Sequence, residues 1–265
     1  AYLIAKGILP ENILAVTFTN KTAQEMKDRI FHLLNFRFPR LRQDFGGQAI
    51  SDFRFPIFIG TFHSFCVRIL RENATKASFT KTFSIFDDGD SFSLIKEVMN
   101  ELGVNQKQFP AGMTQKIISN LKNDLIAPDE YLEKTGNDFF PATIHKIYSF
   151  YQKKLRQSNA LDFDDLIMKT VELFRDKEIL EKYQDVFHYI NVDEYQDTNH
   201  AQYALIKMLA QKHRNLAVVG DDAQAIYGFR GADFQNILNF EKDWPEAKII
   251  VLDQNYRSTQ NILDA

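Results

Sequence analysis

Five short apolar runs constrain this chain more than any other feature. They fall at residues 13–18, 57–60, 187–192, 216–219 and 249–252, and most of them end in small or polar residues. None shows the apolar–polar alternation of a half-solvated strand, so they read as parallel strands buried on both faces. Helical periodicity follows the first run, with Ala23, Met26, Ile30 and Leu33 spaced along residues 21–34. Thr22 and Glu25 have the spacing of a capping box at the start of that helix. After the third run, Ala201, Leu205, Met208 and Leu209 share one face of residues 200–211. Strand–helix alternation of this kind predicts an α/β fold, a parallel sheet with helices on both faces. Such sheets bind ligands at the carboxyl ends of their strands. The residues just past each strand are therefore the ones to inspect.

The middle of the chain breaks the alternation. Between residues 87 and 159 only helical spacing is found: Phe92, Ile95, Val98, Met99 and Leu102 form one stripe, Ile117, Ile118, Leu121 and Leu125 another. A third runs through Ile144, Ile147, Tyr148, Tyr151 and Leu155, and Pro110, Pro128 and Pro141 punctuate the gaps. The expected organisation is an α/β unit built from residues 1–85 and 161–265, with an all-helical subdomain, residues 86–160, inserted into it. A length of 265 residues suits one large domain or two modest ones. One cysteine, Cys66, excludes an internal disulfide framework and fits a reducing, cytoplasmic setting. No apolar run approaches the roughly 18 residues of a membrane span, and residues 1–15 lack the pattern of a secretory signal.

Chemistry concentrates after the third and fourth strands. At residues 189–197 an apolar strand delivers two adjacent carboxylates, Asp193 and Glu194. Asp193 suits Mg²⁺, held through water because that ion sheds its shell reluctantly. Glu194 would then orient or deprotonate a water attacking a γ-phosphate. Taken alone, the pair fits equally well as an acidic strand end at the surface. Gln224, past the next strand, is neutral and bifunctional, able to reach both a phosphate oxygen and the attacking water. Phe229 and Arg230 set a flat apolar face beside a fixed cation, which suits an unpaired base and its phosphate, stacking being worth roughly 1–3 kcal/mol per base. Core packing is the plainer reading of any one Phe in a chain with 24.

Several runs together carry a specific resemblance. Val-Asp-Glu-Tyr-Gln-Asp-Thr-Asn at 192–199, Gly-Asp-Asp-Ala-Gln-Ala-Ile-Tyr-Gly-Phe-Arg-Gly-Ala-Asp at 220–233 and Leu-Asp-Gln-Asn-Tyr-Arg-Ser at 252–258 resemble motifs II, III and IV of superfamily 1A helicases, the UvrD/Rep/PcrA family. Residues 15–21 resemble motif Ia, 60–64 resemble motif Ib, and 160–167 match a further signature of that family. The matches lie in order along nearly the whole chain. The resemblance implies a RecA-like domain 1A carrying an inserted helical domain 1B, and an ATP-driven motor on single-stranded DNA and single/double-strand junctions, moving 3′ to 5′. It names no protein partner.

It also implies roles. Asp193 would hold Mg²⁺, with Glu194 as the catalytic glutamate beside it, and Gln224 would couple the γ-phosphate to the DNA elements. Tyr256 would stack on adenine and Arg257 would touch the γ-phosphate, a position worth about 10³–10⁵ in rate in related enzymes. Phe18, Thr19 and Asn20, with Thr61, Phe62, His63 and Ser64, would line a single-strand channel, joined by Tyr227, Phe229 and Arg230. Phe229 stands where the family commonly has Trp. Charge follows the same division: residues 1–85 carry a net +6, 86–160 a net −1 and 161–265 a net −8. Contacts of this kind to a single strand are sequence-blind and salt-sensitive.

Departures from the family pattern are as informative. Its phosphate loop, Gly-x-x-x-x-Gly-Lys-Ser/Thr, is not in this sequence, nor is a second RecA-like domain, so an N-terminal motor fragment, inactive alone, is expected. Two rivals stand beside it: a non-hydrolysing single-strand binder that has lost its motor, and the motor part of a RecB-like helicase-nuclease. Residues 35–56 are rich in Phe and Arg and read either as a surface loop or as an extension of the DNA path. Cys66, three residues past His63 in a helix-like run, reads as a buried structural thiol, not a nucleophile. The six His residues show no zinc spacing. Asp162, Asp164 and Asp165 read as carboxylates at a helix N-terminus rather than a metal site.

Overall fold

The computed structural model describes residues 1–37, 57–224, 235–256 and 258–263. Four strands, β1 (Ile13–Thr17), β2 (Phe58–Thr61), β5 (Tyr189–Val192) and β6 (Leu216–Val218), form one sheet in the order β2-β1-β5-β6, every pair parallel. Ala15 lies between Ile59 and Asn191, so β1 sits inside the sheet. Its side chains divide between the two faces: Leu14 and Val16 join one buried cluster, Ile13 and Ala15 another. The first cluster is closed by helices Phe62–Glu72, Phe163–Leu173, Lys177–Val186 and His200–Ala210. The second is closed by helix Asn20–Arg37 through Met26, Ile30 and Leu34, with Ile4 of helix Tyr2–Ala5. Burial on both faces is why these strands are apolar without alternation.

The fifth apolar run does not become a strand. Residues 249–252 have no strand partner among the described residues, and their side chains are 68–82% exposed. Apolarity is not enough: a strand also needs a neighbour for its backbone N–H and C=O groups. Two local expectations also change. Helix Asn20–Arg37 starts two residues before Thr22, so its cap is Thr19, whose Oγ1 accepts the Thr22 N–H at 3.0 Å. Pro141 sits inside the first turn of its helix, not in a gap, where a missing N–H costs no intrahelical bond.

The middle is helical, as its periodicity predicts: Asp88–Glu101, Ala111–Asn123, Pro128–Thr135 and Phe139–Gln157. Ile95, Val98, Ile118, Leu121, Ile144, Ile147 and Leu155 bury together in a cluster of their own. Two short parallel strands, β3 (Ser84–Phe86) and β4 (Ala160–Asp162), flank the helices, pairing Ser84 with Ala160 and Phe86 with Asp162. The chain thus enters and leaves the helical region at one place. No helix among the described residues is long and apolar enough to cross a membrane.

Candidate functional site

The carboxyl ends of β1, β2, β5 and β6 converge on one polar region. The Asp193 N–H donates to the Val16 carbonyl at 3.0 Å, and the Thr17 hydroxyl lies 3.4 Å from Asp193 Oδ2. Burial, and then the charge of Glu194 beside it, push the Asp193 carboxyl above its ordinary range. Glu194 holds the left-handed conformation, φ 52°, as the chain turns into the short 3₁₀ turn Tyr195–Asp197. A non-glycine residue there is uncommon and stores some strain, which bears on function only through what the turn accomplishes. Here it lets a buried side chain reach both neighbouring segments.

That side chain is Gln196, which the sequence reading passed over. Its Nε2 donates to Glu194 Oε2 at 2.8 Å, and its Oε1 accepts the Asp221 N–H at 3.1 Å. The approach is close enough that a Cβ on Gly220 would lie 2.7 Å from Gln196 Oε1, so a side chain there would displace the Gln196 amide. Asp221 Oδ2 in turn accepts from Gln224 Nε2 at 2.7 Å. Glu194, Gln196, Asp221 and Gln224 thereby form one hydrogen-bonded chain across the ends of β5 and β6. The Asp193–Glu194 pair has no ion-pair partner among the described residues, a donor set suited to a hard, oxygen-seeking cation such as Mg²⁺.

A second set of groups begins one residue further along β1. Phe18 packs its ring 5.5 Å from that of Phe62, and both line a cavity of about 240 Å³ with Thr19 and His63. Phe62 is 1% exposed and backs Phe18 from the core, so its own face is not open for stacking. Thr61 caps helix Phe62–Glu72 by accepting the Ser64 N–H at 3.2 Å, while the Ser64 hydroxyl donates to the Thr61 carbonyl at 2.8 Å. Those hydroxyls therefore fix the helix start that aims His63. Asn20 is exposed at the start of its own helix. Tyr256 stands apart, 86% exposed with its hydroxyl on Gln254 at 2.9 Å, and no described contact brings it to the strand ends. Tyr227, Phe229, Arg230 and Arg257, with most of the Phe- and Arg-rich 35–56 segment, lie outside the described residues.

The far wall of the cavity comes from residues the sequence reading did not single out, or read otherwise: Asn123, Asp164, Asp197, Asn199 and Gln202. Asn199 and Gln202 form a capping box on helix His200–Ala210, and Asn199 Nδ2 donates to Asn123 Oδ1 at 2.7 Å. Beside Asn123, the fully buried Lys122 ammonium lies 2.6 Å from Asp162 and 2.9 Å from Asp165. Tyr151 donates to Asp162 at 2.8 Å and Gln152 to Asp165 at 3.0 Å. Burial opposes the Lys122 charge, but the two carboxylates outweigh it and hold its pKa well above the ordinary value. Asp162 also caps helix Phe163–Leu173, as its position suggests. The signal for Lys122 was present: it lies four residues after Ile118, on the apolar stripe itself. Cys66 is buried with its thiol pushed up to about 12 by burial, which leaves it inert.

Comparison with known proteins agrees with this geometry. Residues 1–245 match the family model described as UvrD/REP helicase N-terminal domain. Over its whole length the chain is 51% identical to the ATP-dependent DNA helicase PcrA of Staphylococcus epidermidis and 50% identical to that of Staphylococcus aureus. It spans about a third, 34%, of the length of these curated relatives. The parallel α/β sheet, the acidic strand end and these likenesses together establish that the chain belongs to the UvrD/Rep helicase family.

Proposed function

We propose that this chain forms part of an ATP-driven motor that travels 3′ to 5′ along single-stranded DNA and opens single/double-strand junctions in the cytoplasm. The observation that carries the reading is the adjacency of Thr17 and Phe18. Thr17 touches Asp193 at the acidic strand end and also lines, with Phe18, the neighbouring cavity. Thr17 therefore belongs to both the acidic strand end and the cavity wall.

In this reading residues 1–85 and 161–265 are domain 1A and residues 86–160 are domain 1B. Asp193 would hold the Mg²⁺ of a bound nucleotide, which would supply positive charge at the transferring phosphate. Glu194, held by Gln196, orients the attacking water and accepts its proton. Gln224 reports the state of the γ-phosphate along the chain through Asp221 to Gln196. Tyr256 stacks on the adenine, and Arg257 stabilises charge that develops during hydrolysis. On the opposite side Phe18, Thr19, Asn20, Thr61, Phe62, His63 and Ser64, with Tyr227, Phe229 and Arg230, guide the strand. Thr61, Phe62 and Ser64 act by shaping the helix that presents His63.

Glu194→Gln in the full-length protein tests this assignment. Nucleotide binding should persist while DNA-stimulated ATP hydrolysis falls about 10²–10⁴-fold, the range for loss of a positioned general base. Near-normal turnover would remove Glu194 from its role.

A further inference from the structure

The turn that carries Glu194 runs straight into Asn199, the cap of helix His200–Ala210. Its start is fixed by the sheet, where the Tyr195 N–H donates to the Val219 carbonyl at 2.9 Å. Within the turn the Asp197 N–H donates to the Glu194 carbonyl at 2.9 Å, and the Thr198 hydroxyl donates to the Tyr195 carbonyl at 2.7 Å. These bonds stiffen the segment from Glu194 to Thr198, so the seating of Glu194 depends on how the far end is held.

Two buried asparagines hold that end. Asn236 Nδ2 donates to the Thr198 carbonyl at 2.9 Å, and Asn123 Oδ1 accepts from Asn199 Nδ2 at 2.7 Å. The cap sets the direction of the second bond. Asn199 Oδ1 already accepts the Gln202 N–H at 2.9 Å, so its Nδ2 is left to donate and needs an acceptor from outside the cap. Asn123 supplies one across 76 positions of sequence, with its own Nδ2 turned to the Ser119 hydroxyl. It is also a fixed post. It ends helix Ala111–Asn123 beside Lys122, whose ammonium is buried between Asp162 and Asp165. Lys122 binds this helix to the end of β4; what Asn123 adds is a hold on the segment past β5.

We propose that Asn123 is a positioning residue for hydrolysis: through Asn199 it steadies the turn that aims Glu194. It belongs to the helical region and has no described contact with Glu194 or Asp193. The inference rests on the reading of Glu194 as the group that orients the attacking water. Without the Asn123 oxygen, the buried Asn199 amide has no acceptor and the turn re-seats to find one. The Glu194 carboxylate is then held in line with the water less of the time.

The test measures ATP hydrolysis by the full-length protein with oligo-dT as the activating strand. Asn123→Ala removes the acceptor, and kcat should fall about 3–10-fold while KM for ATP stays within about twofold, the pattern of an interaction felt in the transition state. Asn199→Ser attacks the same bond from the other side: it keeps a cap acceptor for the Gln202 N–H but removes the amide donor. It should give a similar fall, and it carries the test if Asn123→Ala does not fold. The double variant should lose no more than the worse single one, because both remove one interaction. Urea unfolding identifies the folded variants. In these, an unchanged kcat overturns the proposal, as does a rise in KM with kcat intact or a double variant in which the two losses multiply. A wild type without DNA-stimulated hydrolysis overturns the motor reading together with the inference, which tells the two failures apart.

Discussion

Two acidic clusters follow parallel strands in this protein, and their fates are opposite. At the end of β4, Asp162 and Asp165 are buried and close around the Lys122 ammonium, with Tyr151 donating to Asp162 and Gln152 to Asp165. Past β5, Asp193 and Glu194 face outward with a threonine hydroxyl and an amide as their described partners. Burial and the Lys122 charge work against each other at Asp162, and Lys122 prevails, holding that carboxyl below its ordinary range. At Asp193 burial and a like charge act together and raise it. Both clusters are carboxylates at the end of a parallel strand. What separates a structural joint from a candidate catalytic site is whether the chain supplies its own cation. The first cluster is closed by protein; the second is left for something brought from outside.

The largest expected effect follows from removing that internal cation. Lys122→Met leaves two buried carboxylates without a counter-charge, and breaking a buried pair in this way costs about 3–5 kcal/mol. Urea unfolding of wild type and variant at neutral pH measures it. Adding Asp165→Asn to the variant should recover part of the loss by removing one stranded charge. A loss below about 1 kcal/mol would mean that the β4 cluster is as well solvated as an exposed ion pair, and the contrast with β5 would disappear.

The same contrast shows what could be read from residue order. Four strands and the helical middle were legible because their signals are local: unbroken apolar runs, and stripes such as Ile144, Ile147, Tyr151 and Leu155. Residues 249–252 carried the same local signal and misled, since strand formation depends on a neighbour that sequence does not display. Strands β3 and β4, three residues each, were too short to register. At the candidate site, Asp193 and Glu194 announced themselves as adjacent carboxylates after a strand. Gln196 lay inside the quoted motif but was given no role, because its bond to Asp221 spans 25 positions of sequence. Asn123 reaches the cavity only through the packing of the helical region on the sheet, and Asp164 through the packing of helix Phe163–Leu173. Such contacts are tertiary, and no local pattern encodes them.

A middle-sized effect is expected at Asp164, which lies between the two clusters in character. Burial, and then the charge of Asp162, push its carboxyl up to about 6 from an ordinary 3.8. The titratable groups around it are Asp162 and Asp165 on its own segment, Lys122 from helix Ala111–Asn123, and His63 and Asp197 across the cavity. The native state therefore binds this proton more tightly than the unfolded chain does. Stability from this group is fully present below about pH 4 and declines as pH rises through about 6, a cost of roughly 2–3 kcal/mol above that range. Asp164→Asn should stabilise the fold by about 2 kcal/mol at pH 7.5 and leave it almost unchanged at pH 4, as read by denaturant midpoints. Asp193→Asn should act in the same direction, because burial and Glu194 raise that carboxyl too. Lys122→Met has the opposite sign. If both asparagine variants destabilised the fold at pH 7.5, the outward-facing carboxylates would be structural after all.

The smallest change is expected at Gln196, and it separates placement from stability. Gln196→Ala removes the bonds to Glu194 and to the Asp221 N–H, at about 1–2 kcal/mol for two partly buried hydrogen bonds. Global unfolding should register little more than that. Hydrolysis in the full-length protein should respond more sharply, since Glu194 would keep its left-handed backbone but lose the amide that fixes its carboxylate. A tenfold fall in turnover with an unchanged KM for nucleotide is the expected pattern, the mark of an interaction that matters in the transition state rather than in binding. Gln196→Glu sharpens the point. It keeps the length of the side chain and an acceptor for the Asp221 N–H, but it sets a third carboxylate against Glu194, whose oxygen then has no donor. Should Gln196→Ala lower stability while turnover stays normal, the turn alone would be positioning Glu194. The hydrogen-bonded chain from β5 to β6 would then be a structural brace, closer in kind to the Lys122 joint than to a catalytic relay.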